Sequence, residues 1–376
     1  MAKKRKMKRE PANRNAALKG KLSVVLQWSS DEPVQLSRTM ICVIAMAVSI
    51  LFGILFNNLR FGLLASFGAM IVSGDASEGR LRQHAIDLLR TMLAGTAAIF
   101  TGILIGNQNG VAEGWIVVIS VLAAVFGGIS RPAAKACAQF TIFAIIGTGM
   151  GSGGNHPYII SLYFAIGSLI GILVSLSFIL LFHSRTTCGK ERPSVQVTTK
   201  QRLKRWRHTL AQRSGWEFPA RMALCMTAAP VIGTVLHLDR SYWIALTVAI
   251  VLQRRLSSGT ARIFQRGFGT AAGVLAGSLL LLWMIPQWGV LLIVALLAAL
   301  RPIFKKRSYT IYSMLMTPIM VMMFSMNSPV TESLLFSRLL DTFIGCGITL
   351  VLGHYIWPNS RISRLQEAVN GGKSKD

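Results

Sequence analysis

Arg338 and Asp341 stand three residues apart inside the apolar run 334 to 357, so a helix there places a guanidinium and a carboxylate on one face. Ionisable groups at membrane depth are costly and mark functional positions. A carboxylate there can exchange a proton, which makes Asp341 the candidate for proton coupling, while its arginine partner meets an anionic substrate. The same spacing also suits a static salt bridge, and the two are expected to pair. The second constellation is Asp239-Arg-Ser-Tyr-Trp-Ile-Ala-Leu-Thr247. Tyr242 and Trp243 suit anchoring at the membrane interface. Beside Arg240 and Thr247 they equally suit stacking on an aromatic solute whose carboxylate meets a guanidinium. Arg90, Arg131 and Arg266 fall at inner helix ends, where they either snorkel to headgroups or form a basic vestibule that concentrates anions.

Other chemistry is poorly represented. His-Glu-x-x-His and Cys-x-x-Cys are absent and the six histidines are scattered, so neither a metal nor a cofactor is expected. Gly372-Lys373-Ser374 resembles a phosphate loop, but Glu367 occupies the place of its leading glycine. Gly149-Met-Gly-Ser-Gly-Gly154 spells a dinucleotide motif without the preceding strand that its mechanism needs, and reads as a flexible connection. Four of the five cysteines lie in apolar runs, which favours buried thiols over a disulfide framework.

These residues must be held by membrane helices. Of 376 residues, 52% are hydrophobic and 14% charged, against about 25% charged in a soluble domain, which excludes a water-soluble globular enzyme. Hydropathy and Gly/Pro punctuation predict helices at 38–56, 61–73, 89–106, 114–130, 134–151 and 158–182. A second set follows at 220–238, 242–253, 267–285, 288–300, 308–325 and 334–357. The expected fold is an all-α polytopic transmembrane bundle of about 12 spans, in two parallel six-helix repeats. With a cytoplasmic N-terminus, the inner segments hold 37 of the 40 Lys and Arg, leaving Arg60, Arg240 and Arg338 elsewhere. The net charge of +26 is therefore a topology signal rather than a sign of nucleic-acid binding. Both termini are expected in the cytosol, with no cleaved leader. The divisions are a basic tail (1–37), which at Lys3 to Arg9 suits anionic membrane lipids, a first repeat (38–183), a basic linker (184–219), a second repeat (220–358) and a tail (359–376).

Arg38-Thr-Met-Ile-Cys42 opens the first set and Arg221-Met-Ala-Leu-Cys225 the second. Gly167-Ser-Leu-Ile-Gly171 matches Asp341-Thr-Phe-Ile-Gly345, so Arg338 and Asp341 align with Phe164 and Gly167. The second helix of each set is too short to cross a bilayer alone, and paired short segments point to a transport site. Residues 77–89 fit an amphipathic helix along the inner interface.

Tyr242-Trp-Ile-Ala-Leu-Thr-Val248, Arg262-Ile-Phe-Gln-Arg-Gly-Phe-Gly-Thr-Ala-Ala-Gly273 and Arg338-Leu-Leu-Asp-Thr-Phe-Ile-Gly345 resemble the fusaric acid resistance protein-like family, which includes aromatic acid exporters. The first half matches weakly. The resemblance implies an inner-membrane, proton-coupled efflux transporter for small anionic aromatic solutes rather than an enzyme. Many such exporters carry large cytosolic domains, where this chain has only the linker. A passive anion channel, and a membrane assembly factor or lipid-linked enzyme subunit, are the alternatives. A homo-oligomer or an accessory protein stays open, and Lys200 to Arg213 offers a basic, helical contact for such a partner.

Overall fold

The computed structural model describes residues 36–74, 81–106, 108, 110–151, 154, 156–182, 199–238, 240–252, 254, 259–281, 287–324 and 332–357. The regular structure among them is helical. The basic N-terminal tail, Asp239, Cys188 and the C-terminal Gly372-Lys-Ser lie outside the described residues.

The helices of the first half are α1 (Leu36–Leu55), α2 (Leu59–Ser73), α3 (Leu81–Gly106), α4 (Val111–Phe126), α5 (Arg131–Gly151) and α6 (Pro157–Phe182). A linker helix, α7 (Thr199–Ala211), precedes α8 (Arg213–Val235), α9 (Tyr242–Val251), α10 (Gly259–Leu281), α11 (Gln287–Arg307), α12 (Tyr309–Phe324) and α13 (Glu332–Leu350). Six stretches among the described residues, in α1, α3, α5, α6, α8 and α13 with its extension, are long and apolar enough to cross a membrane. The chain is a polytopic helical membrane protein.

Local signals set the helix ends. Asn58 caps α2 by accepting the Phe61 amide at 3.0 Å, and Ser130 caps α5 through the Ala133 amide at 3.2 Å, with Pro132 in the first turn where a missing N–H costs nothing. The exits of α1 and α8 are the same turn. Asn57 and His237 both take φ 50°, while Asn58 N–H donates to Gly53 O and Leu238 N–H to Gly233 O, at 2.8 and 2.9 Å. That pattern closes a helix with a left-handed residue.

Helix pairings repeat as well. In the first half α1 packs on α2 and α6, α2 on α6, α3 on α5 and α6, and α4 on α5. In the second half α8 packs on α9 and α13, α9 on α13, α10 on α12 and α13, and α11 on α12. The halves meet reciprocally, α1 against α11 and α8 against α4.

Two expectations change. Residues 81–89 are the opening turns of α3 rather than a separate interfacial helix. Leu88 and His84 are buried, with His84 Nε2 3.1 Å from Ser175 Oγ on α6, so this face packs on protein. Gly149 and Gly151 lie inside α5 rather than in a flexible connection. A Cβ on Gly149 would strike the Tyr242 ring, and one on Gly151 would meet Ile103, so close packing explains both glycines.

Candidate functional site

The site is built on α9 and α13. With only ten residues, α9 rises about 15 Å, about half of an apolar bilayer core. Such a helix is tolerated at depth where protein surrounds it, and Trp243 through Val248 are all buried. Its neighbours are α4, α5, α8, α10 and α13. Close approach of α9 to α13 depends on Gly345, where a Cβ would lie 2.8 Å from Thr247 Cβ and 3.0 Å from Ile244 O. Thr247 Oγ1 donates to Trp243 O at 3.0 Å and therefore lines the packed α9–α13 seam.

Two turns before Gly345 on α13, Arg338 crosses to α9. Its guanidinium carbon lies 4.3 Å from the centre of the Trp243 ring, and that of Arg240 lies 5.9 Å from the same ring. Tyr242 meets Trp243 edge to face, with centroids 5.9 Å apart. Trp243, Arg338 and Asp341 are each only 1% exposed. Arg338 and Arg240 are the cations that act electrostatically on Asp341.

The expected salt bridge between Arg338 and Asp341 does not form. Neither carboxylate oxygen of Asp341, nor Nε or Nη1 of Arg338, has a hydrogen-bond partner among the described residues. The cause is the Trp243 face, which draws the guanidinium toward α9 through a cation–π contact. The result is a buried carboxylate and a buried cation, both with unused hydrogen-bonding capacity beside an aromatic ring. Such groups are rare because each costs free energy when unpaired.

Of the other predicted residues, Arg266 on α10 is buried. It donates from Nη1 to Ser313 Oγ at 3.3 Å and its charge reaches Arg338. Thr270, one turn on, buries a hydroxyl without a hydrogen-bond partner among the described residues. Arg90 is not brought to the site. It lies on the exposed side of α3, 3.7 Å from Asp87, with a side chain 72% exposed. Because α3 packs on α5 and α6 while α10 packs on α12 and α13, Arg90 and Arg266 belong to different halves.

Several arginines of the basic segments are structural instead. Arg301 of α11, 3% exposed, donates to Met70 O at the end of α2 at 2.9 Å. Arg254 donates to Ala124 O near the end of α4. Arg221 donates to Gly353 O at 2.6 Å, inside the single π turn Val351–Tyr355 that extends α13. Cations suit helix C-termini, where carbonyls are unpaired and the helix dipole is negative. These roles were missed because a lysine or arginine near a helix end reads as a topology charge; Arg301, ahead of Pro302 in an apolar run, was the one visible signal.

The matching place in the first half is filled. Phe164, aligned with Arg338, packs with Phe67 and Phe143 at centroid distances of 6.1 and 5.7 Å. At Gly167, aligned with Asp341, a Cβ would run into the Ala65 backbone.

Residues 225–352, which contain the site, match the family model described as fusaric acid resistance protein-like. The chain is similar to "Inner membrane protein YccS" of Escherichia coli (strain K12), with 28% identity over 160 residues, 42% of this chain and 22% of the relative. It is also similar to "Uncharacterized protein YhfK" of the same organism, 28% identical over 138 residues, 37% of this chain and 20% of that protein. An uncharacterized protein of Haemophilus influenzae matches at 29% over 148 residues, 39% of this chain and 20% of that protein. The aligned segment thus spans about a fifth of the length of these relatives. No solved structure matches. Residues 225–352 run from within α8 into the turn that follows α13 and carry Trp243, Arg338 and Asp341, so the candidate site lies inside the segment that is similar to fusaric acid resistance protein-like sequences.

Proposed function

We propose that this inner-membrane chain transports small anionic aromatic solutes, carboxylates first among them, out of the cytosol, with proton exchange at Asp341. Transport rather than catalysis is the role its family resemblance favours. The observation that carries the reading is the buried Arg338 and Asp341, unpaired with each other and set against the Trp243 ring. A solute carboxylate offers Arg338 the oxygen acceptors that its Nε and Nη1 lack, and an aromatic ring extends the Tyr242–Trp243 stack. Arg240 and Arg266 add positive charge that attracts the anion. The solute is released from Arg338 as Asp341 changes its protonation state.

Inverted vesicles carrying the chain, under a proton gradient acid inside, are expected to accumulate labelled hydroxybenzoate. Asp341→Asn is expected to lower accumulation to that of vesicles lacking the protein. Equal accumulation by Asp341→Asn and the parent would remove Asp341 from the mechanism. Solute-selective conductance in planar bilayers without a proton gradient would replace coupled export with a channel.

A further inference from the structure

The most cationic element of the described chain lies outside this site. Helix α7 carries Lys200, Arg202, Lys204, Arg205 and Arg207 and no acidic residue, and all five side chains are exposed. It is nevertheless docked on the bundle. Trp206 turns inward, donating its indole N–H to Val125 O at 3.0 Å and stacking on Phe126 with centroids 5.9 Å apart. The same end of α4 receives Arg254, which donates to Ala124 O. Arg131 is exposed at the start of α5, just beyond this end. Trp216, 50% exposed on α8, donates its indole N–H to Leu210 O at 2.9 Å. Glu217 is the acidic residue nearest in sequence and is also exposed.

Two tryptophans with tethered N–H groups and half-open rings are what a membrane interface selects. Exposed Phe126 and Leu203, 48% and 39%, add apolar surface beside the cations. Lys200, Lys204 and Arg207 share one face of α7, and docking through Trp206 on another face leaves those charges free to face outward. We propose that α7 is a docking helix for anionic phospholipid headgroups, with Lys200, Lys204 and Arg207 meeting the phosphates and Arg202 and Arg205 flanking them. Lipid is favoured over a soluble acidic partner because the cations adjoin exposed apolar side chains, Phe126 at the end of α4 and Leu203 on α7 itself, and polybasic segments beside membranes concentrate anionic lipid.

The test uses the full-length protein purified in neutral detergent and titrated with phosphatidylglycerol or phosphatidylcholine of equal chain length. Bound lipid is counted by native mass spectrometry. The parent is expected to prefer phosphatidylglycerol by about tenfold or more. The variant carrying Lys200→Gln, Arg202→Gln, Lys204→Gln, Arg205→Gln and Arg207→Gln is expected to lose that preference while melting like the parent in phosphatidylcholine. Trp206→Ala, which frees the helix without changing its charge, is expected to reduce the preference partially. Equal binding of the two lipids by the parent would overturn the proposal, as would a preference unchanged in the five-fold variant. Inorganic phosphate or a short oligonucleotide displacing the bound phosphatidylglycerol at low micromolar concentration would assign α7 to a soluble ligand and likewise overturn it. None of these readouts involves solute transport, so the result is independent of the role of Asp341.

Discussion

Replacing both charges of the site with apolar residues of similar length, Arg338→Met with Asp341→Val, is expected to make the protein more stable and inactive. Four polar atoms of the pair are buried without hydrogen-bond partners among the described residues: Nε and Nη1 of Arg338 and both oxygens of Asp341. At about 1 to 3 kcal/mol for each unsatisfied buried group, they cost the fold at least about 4 kcal/mol. The opposing contribution is the contact of Arg338 with the Trp243 ring, about 2 kcal/mol when desolvated. Even at the low end the double substitution gains about 2 kcal/mol, a rise of a few degrees in the unfolding midpoint. The assay is thermal unfolding of the purified protein in one detergent, paired with solute accumulation in vesicles. Transport is what separates this arrangement from a structural ion pair. Replacing such a pair as a pair is also neutral or stabilising, and only removal of a single partner costs about 3 to 5 kcal/mol, but its replacement leaves transport unaffected. A lowered midpoint, or unchanged accumulation, in the double variant would refute the reasoning.

Arg301→Gln should lower the unfolding midpoint by the equivalent of about 1 to 3 kcal/mol, because the Met70 carbonyl loses its charged donor; an unchanged midpoint would show that the cap contributes nothing. Gly167→Ala should prevent accumulation of folded protein, since its Cβ meets the Ala65 backbone. Gly347→Ala, with open space around the new methyl group, should stabilise α13 by about 0.5 to 1 kcal/mol. Fluorescence-detected size exclusion of tagged variants separates these two outcomes.

Much of the architecture was readable because lipid makes a simple demand: apolar residues outward and every backbone group paired within its helix. The expected segments 134–151 and 158–182 reappear as α5 and α6 within three residues at each end. The starts of helices were harder. Arg80, Arg82, His84 and Asp87 made 77–89 read as a surface element, although His84 and Leu88 share a face that packs inward. Spacing placed Arg338 and Asp341 on one helical face and predicted a salt bridge that does not form, because the competing partner, Trp243, is far away in sequence. The same distance hid the roles of Arg301 and Arg254, each of which reaches a carbonyl in the other half of the chain.

The comparison between halves explains why the charges reside on one side only. Where the first half brings α2 and α6 together at Gly167 and Ala65, a carboxylate has no room, and Phe164 completes an aromatic cluster with Phe67 and Phe143. In the second half the glycine contact remains one turn further on, at Gly345 and Thr247, so α9 and α13 are still held together. The position before it carries Asp341, and Arg338 takes the place of the phenylalanine. Each half thus uses the same helix pair, α2 with α6 or α9 with α13, once for packing and once for polarity. Close glycine contacts between α3 and α5, at Gly102 with Gly147, and between α10 and α12, at Gly269 with Ser313, stiffen the surroundings of both pairs. A rigid frame is what allows unpaired charges to persist at the centre of the second half, because relaxation that would pair or hydrate them requires those helices to separate.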